Sequence, residues 1–444
     1  MLSSASRETS IAFFFVFIFL FFQYLLYLCT MKMKFQYILL VVWLGMMLPI
    51  STYGQRNVIH DARIASLQVR VGDRWQEMPV AKLGEEQIVI DFDDMTHNLH
   101  RYAYKLVHCD ADWKESKGLF LSDFLQGFNG ELTIDDCQQS INTNHLYTHY
   151  QLTLPNDNCQ FIMSGNYKLT VFDDDCDHQP MFTACFMILE PLMQVSMSYS
   201  SNTDVDVNRN HQQVQLSVDY GRLKVSNPRQ QVKTVVLQNT RWDNAVVGAE
   251  ADYVRADGLQ YQHNRALIFN AGNEYRKFEM LDLNHTTMGL DEISWDGKDF
   301  HAYLFPDRAR PSYVYDEGAK GAFYIRNSDN VENDFSSDYA WVHFLLDAPL
   351  QEGAVYLNGN WTHDSFLPSY QMLYDEESHC YRGSVLLKQG YYSYQYLVLH
   401  VDGTTSPVTS EGNYFQTANA YQALVYYRGI GERADRLVGY ATIK

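Results

Sequence analysis

The stretch Ser164-Gly165-Asn166-Tyr167-Lys168-Leu169-Thr170-Val171-Phe172 determines how the rest of this chain is interpreted. A serine–glycine turn signal opens it, and apolar Tyr167, Leu169 and Val171 then alternate with polar residues. Alternation with a period of two is typical of an antiparallel strand that is buried on one face only. The stretch therefore predicts a half-buried antiparallel strand.

Further strand patterns lie on both sides of this stretch. Residues Tyr147 to Leu154 alternate in the same way, and Met181 to Leu189 predicts the returning strand after a polar turn at Asp173 to Pro180. A glycine–aromatic entry recurs far away, at Gly390-Tyr391-Tyr392. The repetition indicates several sandwich modules in series.

Composition supports an all-β chain. The 444 residues can form two to four domains, and Tyr (32) and Phe (25) are abundant while Pro (11) is scarce. We predict serial immunoglobulin-like β-sandwich domains after a cleaved signal peptide. The formal net charge of −19 argues against nucleic acid and anionic lipid as partners.

Residues 1–54 differ from the rest of the chain. Read from Met31, they contain a short basic region, an apolar run from Phe35 to Ile50, and small residues before Gln55. This layout predicts a secretory signal peptide that is cut before Gln55, with Met31 as the true start. The alternative is a hairpin of two membrane helices, although the second apolar run is short for a full span. Cleavage removes Arg7, Lys32, Lys34 and Glu8 and changes the formal charge from −19 to −21.

Changes in strand pattern divide the remaining sequence into three modules. Residues 55–190 carry about eight strands, which is the size of an immunoglobulin-like sandwich. Residues 191–330 form a second β-rich domain with long polar loops, and residues 331–444 form a third immunoglobulin-like domain, similar to E-set modules.

Cysteine usage leaves two redox states open. Cys109, Cys137, Cys159, Cys176 and Cys185 lie in the first module and Cys380 in the third. Export permits disulfides, and a Cys176–Cys185 bridge across the turn is geometrically plausible. Buried free thiols are the alternative.

No catalytic, cofactor or metal motif occurs, so we predict a protein that is not an enzyme, with no catalytic, cofactor-binding or metal-binding residues. Two polar clusters are better explained by turns. The first could bind calcium and comprises Asp173, Asp174, Asp175, Asp177 and His178. The second could be an acid–base or metal set and comprises His108, Asp110 and Asp112.

Aromatic residues raise the possibility of ligand stacking. Trp113 follows a strand and is more often a core residue at such a position. In the third module, Leu357 to Trp361 and Gln389 to Tyr394 resemble glycogen-binding modules, in which exposed rings stack on sugars. Trp361 and Tyr392 would form that platform. The competing interpretation is that both rings pack internally.

The order of motifs along the chain resembles the type IX secretion system plug protein family. The first module contributes Tyr104 to Trp113, Gln126-Gly127-Phe128, Ser140 to Thr143 and Ser164 to Tyr167. The resemblance continues through Phe269 to Glu279 and ends with Leu424 to Arg428 and Arg433 to Gly439, thus covering nearly all of the chain after residue 54.

This resemblance implies a periplasmic protein at the inner face of the outer membrane. It would be a non-enzymatic plug that seals the β-barrel translocon when no cargo is engaged, with that translocon as partner. No cofactor, nucleic acid or small-molecule substrate is implied. The alternative function is a periplasmic glycan-binding protein with a glycogen-binding-like C-terminal sandwich.

Overall fold

Strands follow one another along most of the chain, because polar turns interrupt short runs of β-branched and aromatic residues. The computed structural model describes residues 56–127, 132–174 and 178–444. The predicted signal region and Cys176 lie outside the described residues. Twelve strands form the first module: β1 (Val58–Ile59), β2 (Ile64–Val71), β3 (Val80–Lys82), β4 (Ile88–Asp94), β5 (Tyr102–Cys109), β6 (Leu125–Gln126), β7 (Leu132–Ile134), β8 (Asp136–Gln139), β9 (Thr148–Leu154), β10 (Gln160–Phe161), β11 (Gly165–Asp173) and β12 (Gln179–Leu189).

Strands dominate the remaining chain as well, which confirms the all-β prediction. Between the first module and residue 330 lie β13 (Gln194–Ser200), β14 (His211–Asp219), β15 (Val232–Gln238), β16 (Val246–Val247), β17 (Tyr253–Val254), β18 (Gly258–Tyr261), β19 (Ile268–Asn270), β20 (Arg276–Met280), β21 (Leu290–Trp295), β22 (Phe300–Leu304) and β23 (Phe323–Ile325). The last strands are β24 (Tyr339–Leu346), β25 (Ala354–Asn358), β26 (Gln371–Asp375), β27 (Cys380–Lys388), β28 (Gly390–Leu399), β29 (Thr405–Pro407), β30 (Tyr421–Tyr427) and β31 (Arg436–Ile443).

The helices of the described residues are single turns. They lie at Leu121–Phe124, Pro228–Gln231 and Asn333–Ser336, with 3₁₀ turns at Arg265–Leu267, Asn360–Thr362, Pro368–Tyr370 and Thr409–Glu411. Among residues 56–127, 132–174 and 178–444, no helix has the length and apolar character needed to cross a membrane.

The first module is a sandwich of two main sheets around one core, and β6 and β10 pair in a small separate sheet. One sheet has the order β1-β12-β11-β5-β7, with β3 beside β12, and the other has the order β2-β4-β9-β8. Tyr167, Leu169 and Val171 of β11 face this core and are fully buried. The predicted face of the central strand is therefore confirmed.

Strand β12 is buried on both faces. Phe182 and Ala184 face the first core, whereas Cys185 and Met187 face a second apolar cluster that is shared with strands of the next module. Because both faces are covered, the strand has no need of polar alternation. This explains the nearly continuous apolar run from Met181 to Leu189.

Strands β30 and β31 form a C-terminal hairpin, which completes the second module. Its outer sheet has the order β13-β14-β18-β17, with β19 beside β14, and its inner sheet has the order β16-β15-β30-β31. Val235 of β15 lies opposite Leu424 of β30. All seven residues of β30 are buried, since one face packs in the second module and the other packs against β12. Four sheets are therefore stacked through the first two modules.

The third module is built on one ten-stranded sheet. Its order is β20-β28-β25-β26-β27-β24-β22-β21, with β23 and β29 beside β28. The sheet curves around an aromatic core that includes Phe278, Phe344, Tyr392 and Tyr394.

Strand pairing crosses the boundary that the sequence predicted at residue 330. Strands β20 to β23 precede that residue but pair within the third sheet, and β30 and β31 follow it but pair with β15. Local periodicity identifies a strand but contains no information about a distant pairing partner. We propose that the second module comprises residues 192–270 and 419–443, and the third residues 276–410.

Candidate functional site at the module junctions

The loop after β5 contains one of the predicted polar sets. It turns tightly, because the Trp113 amide donates to the Asp110 carbonyl at 2.8 Å and the Ser116 amide to the His108 carbonyl at 2.9 Å. His108 Nδ1 lies 2.9 Å from Ser116 Oγ, which lies 2.8 Å from Asp110 Oδ1. The structure thus brings His108 and Asp110 together. It leaves Asp112 on the surface, where it pairs with Lys114 at 2.8 Å.

This loop binds the C-terminal hairpin. Arg428 donates to Asp110 Oδ2 at 2.7 Å and to Asp435 Oδ1 at 2.8 Å. In return, the Asp435 amide donates to Asp110 Oδ1 at 3.0 Å, and the Ala111 amide donates to Asp435 Oδ2 at 3.0 Å. Although burial opposes it, contacts with the Asp435 amide, Ser116 and Arg428 hold the pKa of Asp110 below its usual value.

The cluster has the composition of a catalytic set but the surroundings of a structural one. His108 is 1% exposed, and its Nε2 lies 3.2 Å from the Ser164 carbonyl oxygen. Burial lowers the pKa of His108. Because both ring nitrogens contact protein atoms and the ring is closed off from solvent, His108 has no free position for a substrate.

Trp113 also lies at this junction. It has a left-handed backbone (φ 61°), is 3% exposed, and packs edge-to-face on Trp242 at a centroid distance of 5.8 Å. This confirms the core interpretation of Trp113. The two rings join the loop of the first module to the loop between β15 and β16 of the second module's inner sheet.

A buried ion pair joins the first module to the third. Lys388 Nζ lies 2.6 Å from Asp93 Oδ2, and the hydroxyl of Tyr339 donates to the same oxygen at 2.6 Å. His149 Nδ1 lies 2.8 Å from Asp93 Oδ1. Although burial opposes it, the charge of Lys388 and the contact with His149 hold the pKa of Asp93 below its usual value.

Aromatic rings enclose the same ammonium group. Lys388 Nζ lies 4.1 Å from the centroid of the Tyr147 ring and donates to the Asp334 carbonyl at 2.5 Å. The Tyr147 hydroxyl in turn donates to the Ser337 carbonyl at 2.7 Å. In the folded protein a carboxylate, a carbonyl and an aromatic face thus replace the water that would surround the ammonium group.

A third polar cluster joins the second module to the third. Arg241 donates to Asp243 at 2.5 Å, and the Trp242 amide donates to Asp364 at 3.0 Å. Burial and the nearby charge of Asp243 raise the pKa of Asp364. A cavity of about 90 Å³ lies beside this cluster, and Arg56, Asn57, Trp75, Trp242, His363 and Asp364 are among its lining residues.

Asp173 and Asp174, two members of the acidic cluster for which calcium binding was the less favoured interpretation, contact basic residues. Asp173 is fully buried and lies 3.2 Å from Arg63, and Asp174 lies 3.4 Å from Arg101 and 3.0 Å from His178. Asp175 and Asp177 lie outside the described residues. Within the described ranges, no group of three or more His, Cys, Asp or Glu residues is arranged to hold a metal ion.

The two rings of the alternative sugar platform are internal, as the competing interpretation expects. Trp361 is 5% exposed, its Nε1 donates to the Ser393 carbonyl at 3.2 Å, and it meets Tyr392 edge-to-face at 6.0 Å. Tyr392 is 1% exposed and donates to the Lys388 carbonyl at 2.7 Å. Neither ring can stack on a sugar while it occupies the core.

Cys109, Cys159 and Cys380 are buried free thiols, and Cys137 is a half-buried one. Burial raises the pKa of Cys109 and of Cys159 to about 11. Cys176 lies outside the described residues, so the structure does not test the possible Cys176–Cys185 bridge. Cys185 itself is buried and donates to the Arg56 carbonyl at 3.2 Å.

Sequence reasoning missed the residues that join the modules. Asp93 alternates with core-facing residues of β4, and Lys388 ends β27, so both are expected at the surface. The one available signal is the acidic run Asp91-Phe92-Asp93-Asp94, which is unusual in a strand.

A comparison with known protein families supports the resemblance that the motifs of the first module indicate. Residues 64–190 match the family model described as Type 9 secretion system plug protein 1st domain. No curated protein matches the chain.

A solved structure resembles nearly the whole chain. The crystal structure of a hypothetical protein from Parabacteroides merdae is 40% identical, covers 88% of this chain and 99% of its own, and superposes with a TM-score of 0.84. The collagen adhesin from S. aureus is 8% identical over 87% of this chain and 91% of its own, with a TM-score of 0.10, which supports no comparison.

Proposed function

Because this chain belongs to the type IX secretion system plug protein family, we propose that it is a non-enzymatic plug of the outer-membrane translocon. In this proposal the exported protein lies in the periplasm, at the inner face of the outer membrane. It closes the periplasmic mouth of the translocon barrel when no cargo is engaged.

The observation that carries the proposal, beside family membership, is how the modules are joined. Buried polar contacts connect the first module to the third through Lys388 and Asp93, and to the C-terminal hairpin through Arg428 and Asp110. A body that seals a wide channel has to keep its shape. Stacked sheets with buried ion pairs at their junctions resist hinge motion, because opening a junction exposes unpaired charges and apolar surface.

The polar clusters support a structural role over catalysis. The set of His108, Ser116 and Asp110 at the junction is engaged in protein contacts, and its His108 and Ser116 are buried. The aromatic pair suggested for glycan binding is also buried, and no other observation favours the glycan alternative.

The proposal is tested by the permeability of the outer membrane. A strain that lacks this protein should become sensitive to vancomycin, a large hydrophilic compound, and deletion of the translocon as well should restore resistance. Crosslinking in intact cells should recover the translocon barrel with this protein. Unchanged sensitivity in the translocon-positive strain would contradict the plug function.

A further inference from the structure

Two histidines contact each other on the outward face of the third module's sheet. His301 of β22 and His343 of β24 lie on neighbouring parallel strands, and His301 Nδ1 lies 2.8 Å from His343 Nε2. Their rings are inclined by only 15°, with centroids 5.1 Å apart. We propose that this pair is a binding site for a divalent transition-metal ion, Cu²⁺ or Zn²⁺, held by His301 Nδ1 and His343 Nε2.

The geometry of the rings directs two lone pairs toward one point. A short nitrogen–nitrogen distance between nearly parallel rings means that the rings meet edge to edge, so their inward nitrogens share one proton. A metal ion takes the place of such a proton when both nitrogens are free of hydrogen.

The outer nitrogens are placed to hold those hydrogens. His301 Nε2 lies 3.1 Å from Asp296 Oδ2, and His343 Nδ1 lies 2.7 Å from Ser384 Oγ. A carboxylate and a hydroxyl oxygen can both accept an N–H, so both rings can adopt the tautomer that a metal requires. A carboxylate behind a ligating histidine is the usual outer partner in protein metal sites.

Packing fixes the orientation of one ring. Tyr303 lies opposite His343 in the strand register and stacks on it with a centroid distance of 4.4 Å and an interplanar angle of 15°. The ring is therefore held in place.

The distances leave room for an ion after a small side-chain shift. Zn–N bonds of about 2.0–2.1 Å in a tetrahedral site place two ligand nitrogens about 3.3 Å apart, so the pair needs to open by about half an ångström. Water completes the coordination, because the described residues supply no third His, Cys, Asp or Glu in a metal-holding arrangement. With two imidazole ligands, Cu²⁺ should bind more tightly than Zn²⁺.

The test is a titration of the tag-free protein with Cu²⁺, in which calorimetry and electron paramagnetic resonance monitor binding. We expect one ion per chain and hyperfine splitting from two imidazole nitrogens. Replacement of either ligand, in His301→Gln or His343→Gln, should weaken binding at least tenfold. The positioning variant Asp296→Asn should weaken it by about tenfold, with both imidazoles still detected.

The matched control is His285→Gln, which removes an exposed histidine that also pairs with an aspartate, Asp282, at 2.7 Å. It should leave the affinity unchanged. Thermal unfolding of each variant without metal checks that the fold is intact, and added Cu²⁺ should raise the Tm of the unmodified protein but not of His343→Gln. Equal Cu²⁺ affinity in His301→Gln and the unmodified protein, or a spectrum without imidazole nitrogens, would overturn the proposal.

Discussion

Lys388 Nζ lies 2.6 Å from Asp93 Oδ2, and the two side chains are 1% and 0% exposed. Removal of both charges from water costs about as much as their attraction returns, so the pair adds little net stability. Its effect is on geometry. An unpaired charge at this junction is costly, and the first and third modules therefore fit together in one arrangement.

Replacement of Lys388 by Met should destabilise the protein strongly. The variant removes the ammonium partner of the buried Asp93 carboxylate and leaves it with Tyr339 and His149, so we expect a loss of about 3–5 kcal/mol in the free energy of unfolding, measured by urea denaturation. Lys298→Met removes an 84% exposed ammonium and should change stability by less than about 0.5 kcal/mol. A similar small loss in both variants would show that the buried pair does not constrain the junction.

Gly165, at the start of the central strand, should not tolerate a side chain. Its φ of +147° is rare for other residues, and a Cβ there would lie 2.2 Å from His108 Nε2. We expect Gly165→Ala to cost about 2–4 kcal/mol, from backbone strain together with displacement of the buried ring. The control variant is Gly297→Ala. Gly297 also has a positive φ (+100°), but the space around an added Cβ is open there. This variant should cost only about 1 kcal/mol, and an equal cost in urea denaturation would contradict the clash.

His363 should make stability fall in mild acid. Burial lowers the pKa of His363 to about 4, whereas an unfolded histidine titrates near 6.5. Between these two pKa values the unfolded state binds more protons than the folded state. The free energy of unfolding therefore falls by up to about 3 kcal/mol as the pH falls. His363→Asn keeps a residue that accepts the left-handed backbone (φ 55°) and should lose this pH dependence. Parallel urea titrations from pH 7 to pH 4 compare the two proteins, and identical slopes would rule out the effect.

Trp361→Ala should damage the core and leave glycan binding unaffected. The ring lies in the aromatic core of the third module, so its loss should cost about 3–5 kcal/mol. Trp295→Ala removes a ring that is 47% exposed and should cost less than about 1 kcal/mol. Affinity electrophoresis in glycogen and amylose should show no retardation of the unmodified protein. Retardation that Trp361→Ala abolishes would favour the glycan-binding alternative.

The thiols should differ in reactivity. With pKa values raised to about 11 by burial, Cys109 and Cys159 should resist iodoacetamide at pH 8 in the native protein, while half-buried Cys137 reacts first. All three should react in guanidinium chloride. Peptide mapping by mass spectrometry measures this order and also detects any Cys176–Cys185 bridge. Early labelling of Cys159 would contradict its burial.

Local pattern was sufficient to predict the strands but not their partners. The predicted strands at Ser164 to Phe172 and Tyr147 to Leu154 match β11 and β9 to within about one residue at each end, because alternation depends only on which face of a strand meets the core. The pairing of β15 with β30 joins residues roughly 190 positions apart. No short-range property of either strand specifies that contact.

The junction residues were unpredictable for a related reason. Asp93 points away from its own module's core, as alternation requires, and becomes buried because the third module covers that face. Burial of this kind depends on how whole modules meet. The family resemblance implied a function, but it did not identify the residues that join the modules.

The position of the C-terminal hairpin has a consequence for how the chain matures. Synthesis delivers β15 long before β30, its neighbour in the inner sheet, so the second sandwich stays incomplete until the last strands have emerged. Until then the outward face of β12 and the edge of β15 expose apolar side chains and unpaired backbone groups. We therefore expect chains that end before residue 421 to be cleaved by proteases more readily than the full chain.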